Sequence, residues 1–281
     1  MEVQVLRAMD NPERLVCQAA RGDYFDGYVG ETDYAKLMKD VDYDEDDVLD
    51  FTDGECSTVE EMDGSYVEQA ALNEIRTKSF IEKQLSRGHY GPWEHPQIAF
   101  TVEGVSRVTM AQITRHRHMS FDVQSQRYVD FSENDDPFVV PPILLEPAER
   151  KERYPNVFEN TTDVISRHGG VIELDDNEID KEYARESFLD ACYDDIDYYE
   201  RMVEHGMPKE DARFKLPLAT KVNMTFSGNA RTFMHLFNMR QKPNSQWEIR
   251  ELSERLADKL VEWMPYTYNW YDGNKPHKIG P

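Results

Sequence analysis

The chain has 281 residues, with 55 acidic against 32 basic side chains and a formal net charge of −23. So negative a surface repels polyanions, which disfavours general binding to nucleic acid or anionic lipid. No run of about 18 apolar residues is available to span a membrane, and the first residues lack a basic region followed by an apolar one. A soluble, cytoplasmic protein with no membrane and no nucleic-acid partner is expected. The acidic residues are spread over the whole chain, which predicts a halophilic protein, because the Debye length shrinks to about 3 Å at 1 M salt and relieves self-repulsion. Cys17, Cys56 and Cys192 are widely spaced and form neither a disulfide framework nor a Cys-x-x-Cys metal pair.

In chain order, residues 2–8 alternate around Val3 and Val5 and predict a strand. Asn11-Pro12 marks a turn, and residues 13–21 fit either a short strand or a helix. Residues 24–64 are rich in Asp, Glu, Gly and Tyr and read as an acidic insertion, partly helical at best. Residues 65–87 predict a helix with Leu72, Ile75, Ile81 and Leu85 on its core side, closed by Gly88 in a left-handed cap. Ile98, Phe100 and Val102 predict a strand, then a turn at Glu103-Gly104, then a strand or helix over Val105, Val108 and Met110.

From 132 to 186 the chain reads as a second acidic insertion of loops and short elements. Leu189, Cys192, Ile196, Tyr199 and Val203 recur at helical spacing over 187–205, and Gly206 stops that helix. Val222, Met224 and Phe226 alternate as in a strand. A turn is expected at Ser227-Gly228-Asn229, then a helix over 230–240. Ser245 and Glu248 have capping-box spacing ahead of a helix built on Ile249, Leu252, Leu256 and Leu260. The class expected is α+β: one domain over 1–281 with a central antiparallel or mixed sheet, packed helices and acidic insertions.

The chemistry concentrates in residues 115–128. Arg115, Arg117 and Arg127 crowd together with His116 and His118, opposed only by Asp122. Crowded cations repel unless an anion sits among them, and the guanidinium fork matches phosphate or carboxylate. Gln124, Ser125 and Gln126 add neutral groups that orient a ligand. An anion site, best suited to phosphate, is one reading; a solvated basic turn against the acidic surface is the other. Arg213, Arg231 and Arg240 repeat the theme, accompanied by Asn229, Asn238 and Gln246. No Walker loop or Gly-x-Gly-x-x-Gly turn is present, so side chains would hold the phosphate. A metal site is opposed by the flanking arginines, and a serine hydrolase by the missing nucleophile elbow.

Arg115-His116-Arg117, seven residues and then Ser125 match the Arg-His-Arg-x7-Ser motif of the flavin-dependent thymidylate synthases. The chain also resembles that family at Gln126-Arg127-Tyr128, at Gly88-His89 through Pro92, and at Glu94-His95. Downstream the likeness continues at Leu216-Pro217, Asn229-Ala230-Arg231, Asn238-Met239-Arg240 and Trp247-Glu248-Ile249. The resemblance implies methylation of dUMP to dTMP, with carbon from methylenetetrahydrofolate and hydride from NADPH by way of bound FAD. It implies a homotetramer with active sites shared between subunits.

By the same likeness Gln112, Ile113, Thr114, Arg115, Val123, Gln124, Ser125, Gln126, Arg127, Arg213 and Arg240 contact dUMP. Arg240 is the catalytic candidate, at the uracil edge. Gly91, Arg115, His116, Arg117, Val123, Asn229, Ala230, Arg231 and His235 contact FAD, and His89 lies near flavin or folate. Three positions depart from the family pattern. Val123 stands where an acid is common, Asn244 where a histidine is frequent, and Asp23 where a serine is usual.

Overall fold

The computed structural model describes residues 1–43, 45–51, 65–128, 136–158, 164–167, 170–173 and 180–275. Cys56, Gly169 and parts of both acidic segments lie outside the described residues. The expected α+β class is what the elements show. They divide between two compact units, one of Met1–Leu6, Ala99–Ser227 and Leu236–Leu256, the other of Arg7–Ile98, Gly228–His235 and Ala257–Pro281. Among the described residues no helix is long and apolar enough to cross a membrane.

The first unit is organised on a four-stranded sheet in the order β1 (Glu2–Ala8), β2 (Gln97–Ser106), β6 (Lys221–Asn229), β3 (Ser120–Val123). β3 runs antiparallel to β6, with Ser120 opposite Ser227 and Val123 opposite Met224. Period-2 alternation sends Val222, Met224 and Phe226 to one buried face. There Phe226 lies 5.9 Å from the Phe100 ring and 5.7 Å from that of Phe121.

Two expected turns are absent. β2 runs straight through Glu103-Gly104; Gly104 takes φ +70, and its N–H donates to Asn223 Oδ1 at 3.1 Å. Glycine accommodates that left-handed kink without leaving the strand. Likewise β6 continues through Ser227-Gly228-Asn229 and passes directly into α10 (Ala230–Arg240). Asn229 makes this possible. Its Oδ1 accepts from the Thr232 N–H and hydroxyl, both at 2.8 Å, which caps the helix from the last strand residue.

The capping box at Ser245 and Glu248 does not form either. The Gln246 side-chain oxygen accepts from the N–H groups of Glu248 at 3.1 Å and Ile249 at 3.0 Å, and so caps α11 (Trp247–Trp263). Glu248 is recruited elsewhere. Its carboxylate accepts from Ser106 N at 2.7 Å and from the Ser106 hydroxyl. Ser106 in turn caps α5 (Arg107–Ile113) through Thr109 N at 3.2 Å.

The described part of the second acidic segment is not a surface appendage. Val140, Leu145, Tyr154, Val157 and Phe158 form a buried cluster, joined by Phe188 and Leu189 of α8 (Lys181–Glu204) and by Trp247. Val157 and Phe158 come from α7 (Pro155–Phe158), and Leu145 and Tyr154 flank α6 (Pro147–Arg153). β4 (Val164–Arg167) and β5 (Gly170–Glu173) add an antiparallel hairpin.

The second unit is helical. α1 (Pro12–Gly22) settles the open choice over 13–21: Pro12 occupies the first turn and Val16, Cys17 and Ala20 are buried. α2 (Tyr34–Met38) and α3 (Glu45–Phe51) come from the first acidic segment, and Leu37, Met38 and Val48 are buried. α4 (Ser65–Ser86) follows, closed as expected. Gly88 has φ +74, its N–H donates to Leu85 O at 2.9 Å, and His89 N donates to Gln84 O at 3.1 Å. That is the Schellman pattern. α12 (Pro265–Asn274) completes the unit.

Glu13 is buried in this unit and accepts from Thr267 N at 2.7 Å. Burial pushes its carboxyl up to about 7. The folded chain therefore keeps a proton that the unfolded chain releases from pH 4.5 upward. The stability this gives is full at low pH and is lost as pH rises through 7. Glu13→Gln keeps the acceptor and removes the titration. Its stability relative to wild type should therefore rise between pH 5 and 8, by up to about 3 kcal/mol. Denaturant melts at both pH values check this; a difference independent of pH contradicts it.

Candidate active site

The dUMP candidates all fall in the first unit, where α5, the loop after it, β3 and the segment beyond β3 converge. Arg240, the last residue of α10, donates from Nη2 to Gln112 O at 3.0 Å and from Nε to His116 Nε2 at 3.1 Å. His116 is buried, and its Nε2 accepts here, so the ring carries no proton on that nitrogen. Burial, and after it the neighbouring Arg115, hold the Arg240 pKa below the ordinary arginine value. Four candidates are thus gathered: Gln112, Arg115, His116 and Arg240. Arg115 and Arg117 are exposed, and neither is paired with a carboxylate among the described residues.

A second cluster forms around Arg107, the first residue of α5, which the sequence reading did not single out. Its Nη2 donates to Gln124 O at 3.2 Å, while its buried Nε has no partner among the described residues. Burial lowers its pKa, and Arg213 lowers it further. A guanidinium that feels a second positive charge and keeps a buried donor unspent is the arrangement an anion relieves. The signal was available in Ser106-Arg107, eight residues ahead of Arg115. It was missed because a lone arginine inside an apolar run reads as a helix edge.

Other candidates are spent on structure. Gln124 continues the sheet: its N–H donates to Asn223 O at 2.9 Å, and its Oε1 accepts from Asn223 N at 3.2 Å. Ser125 Oγ accepts from Arg127 N at 3.2 Å. Arg127 pairs with Glu210 at 2.6 Å, both about half exposed. Such a pair is weak, and a phosphate dianion competes well for it. Thr114 Oγ1 turns back to Met110 O at 2.9 Å, and Ile113 is fully buried. Val123 and Gln126 are half-buried.

Among the flavin candidates Arg115, His116, Arg117 and Val123 lie in the first unit. Gly91, Asn229, Ala230, Arg231 and His235 lie in the second, as does His89. Arg231 Nη1 pairs with Glu94. Ala230 is buried, and its N–H donates to Pro96 O at 3.2 Å. A Cβ at Gly91 would meet nothing within 4 Å, so that backbone borders open space. His89 Nδ1 sits 3.0 Å from Gln84 Oε1. Asp23 and Asn244 are exposed. Cys17 and Cys192 are buried free thiols, pushed up to about 12 and about 11 by burial, the reverse of an activated nucleophile.

Fold and site together define an α+β protein whose candidate site is built on arginine side chains, a residue type suited to phosphate. The chain belongs to the Thy1 family, described as thymidylate synthase complementing protein, whose pattern matches residues 4–266. It is 37% identical over 278 residues to the flavin-dependent thymidylate synthase of Halobacterium salinarum, covering 99% of this chain and 98% of the relative. To the protein of that name from Haloarcula marismortui it is 39% identical over 272 residues, covering 97% and 95%. Its fold is similar to a UMP/dUMP methylase, PolB from Streptomyces cacaoi, solved with 5-Br dUMP. The TM-score is 0.64, with 20% identity and 97% and 94% of the two chains covered.

Proposed function

We propose that the whole chain, as one catalytic module, is a flavin-dependent thymidylate synthase. It methylates dUMP to dTMP with methylenetetrahydrofolate as carbon donor and NADPH as reductant. The observation that carries the reading is the buried Arg107 Nε, without a partner among the described residues, on a guanidinium that also feels the charge of Arg213, in a chain of net charge −23. The dUMP phosphate satisfies that donor. Arg127 joins it when the phosphate displaces Glu210, and Ser125 and Gln126 border the same loop.

The uracil ring lies toward Arg240. Gln112 O and His116 hold two of its donors, so the remaining guanidinium edge is preorganised rather than free to swing. A fixed cation at the ring edge favours the N3-ionised uracil and raises electron density at C5. The donor set also fits FAD. Arg115 and Arg117 offer its diphosphate two cations that no carboxylate pairs among the described residues, and Gly91 leaves room beside the backbone. Asn229, Arg231 and His235 add further polar contacts. When bound, FAD supplies the redox step, taking reducing equivalents from NADPH. The raised thiols of Cys17 and Cys192 support a route that needs no enzyme thiolate.

The test is dTMP formation from dUMP, methylenetetrahydrofolate and NADPH by the purified chain. Activity should need FAD and saturate with dUMP; no product with all four present contradicts the reading.

The enzyme is further read as a cytoplasmic, halophilic homotetramer with active sites shared between subunits. The net charge and the likeness to relatives from halophilic archaea support the salt adaptation. Its melting temperature should climb between low salt and molar salt as charge repulsion is screened. A melting temperature that does not move with salt contradicts this.

A further inference from the structure

The second unit holds a cavity of about 480 Å³ lined by Arg21, Tyr24, Phe80, Gln84, Arg87 and His89. That is within the size range of small-molecule sites, about 300–1,000 Å³. Its lining follows from two helix ends. Phe80 and Gln84 lie about one turn apart near the end of α4, Arg87 follows just past its last residue, and the Schellman turn at Gly88 brings His89 back beside Gln84. Arg21 lies in the last turn of α1, and Tyr24 just beyond it.

Arg21 Nε donates to Leu37 O at 3.1 Å, which fixes the guanidinium and leaves both Nη groups for a ligand. Arg87 is exposed, and neither arginine is ion-paired with a carboxylate among the described residues. With the Gln84 amide oxygen as partner, His89 Nδ1 donates, and Nε2 is left for a ligand. The cavity thus joins two unpaired cations to two aromatic rings and a hydrogen-bonding pair. Its ligand chemistry is an aromatic group carrying anions.

We propose that this cavity takes the p-aminobenzoyl-glutamate end of the folate carbon donor, with Arg21 and Arg87 each holding one glutamate carboxylate. The assignment rests on the synthase reading above. Two features favour separate carboxylates over a flavin diphosphate. Each arginine stands at the C-terminal end of a helix, where the backbone dipole opposes a concentrated negative charge. A single charge held by its own guanidinium is tolerated there better than two charges on one group. Tyr24 and Phe80 give the benzoyl ring apolar surface, which a diphosphate does not use.

The test compares two donors on the FAD-loaded full chain. One is methylenetetrahydrofolate; the other is methylenetetrahydropteroate, which lacks the glutamate. Arg87→Gln should raise KM for the folate donor about tenfold, the loss of one charge-assisted contact. It should leave KM for the pteroate donor, KM for dUMP and flavin per chain unchanged. Arg21→Lys, which keeps the charge but not the fork, should show a smaller loss of the same kind. Equal losses with both donors overturn the proposal, because the arginines then do not act through the glutamate. Loss of bound flavin in Arg87→Gln also overturns it and assigns the cavity to cofactor phosphates. Binding of p-aminobenzoyl-glutamate alone, measured by equilibrium dialysis, separates this claim from the one beneath it. Binding that Arg87→Gln abolishes, in a chain that forms no dTMP, upholds the cavity and removes the synthase. Turnover without such binding, and without discrimination between donors, removes the cavity alone.

Discussion

Arg240→Gln should lower kcat by about 100- to 1,000-fold, the usual cost of removing one preorganised donor from a developing charge. Flavin content should stay at the wild-type level. Glutamine keeps a donor of similar reach, so the contact to Gln112 O can persist while the positive charge disappears. Arg240→Lys keeps the charge but not the fork and should fall between the two. The effect is large because the environment has already raised the cost of that cation. Burial and Arg115 both work against it, so the folded chain holds Arg240 charged at some expense and recovers it only with an electron-rich ring beside it. Steady-state rates with saturating dUMP check this. A variant within about tenfold of wild type contradicts the assigned role.

Arg107→Ala should weaken dUMP binding by about 30- to 150-fold, the equivalent of about 2–3 kcal/mol for a charge-assisted contact. Arg107→Lys should recover part of that, since a lysine ammonium can still approach the phosphate. Arg107 also steadies the Gln124 carbonyl, so some of the loss comes from the loop that carries Ser125 and Arg127. Deoxyuridine, which has no phosphate, separates the two parts. Its binding should change little if the phosphate contact dominates. Calorimetric titration of both ligands reads this directly, and a dUMP affinity reduced less than about threefold contradicts it.

The two clusters also show what a sequence can and cannot disclose. Arg115, His116 and Arg240 are legible because their charge stands out in an acidic chain and their spacing is distinctive. Their grouping around Gln112 was not, since nothing in local spacing says that the end of α10 meets the end of α5. Arg107 was hidden by its apolar neighbours. Glu248 was misread for the opposite reason. Its spacing from Ser245 satisfied a local rule, but a buried N–H and hydroxyl at Ser106 bound it more strongly than its own helix start did. Glutamine 246 then took the cap.

The same competition explains the fold. Alternation found β6, and 3.6-residue spacing found α4, α8, α10 and α11, because one face of each is buried. Glycine predicts a turn at Gly104 and Gly228, but the strands run on there and the neighbouring asparagines Asn223 and Asn229 supply the missing hydrogen bonds. Charge dominates the composition of the acidic segments, which predicts surface. Yet Leu37, Met38, Val157 and Phe158 are buried, so a few apolar residues among many acids are enough to anchor a segment.

The absorbance spectrum of the purified full chain, before and after NADPH is added, tests the central claim most directly. Flavin bands that bleach with the reductant, and return in air, are the predicted result. A colourless protein that takes up no added FAD would contradict it.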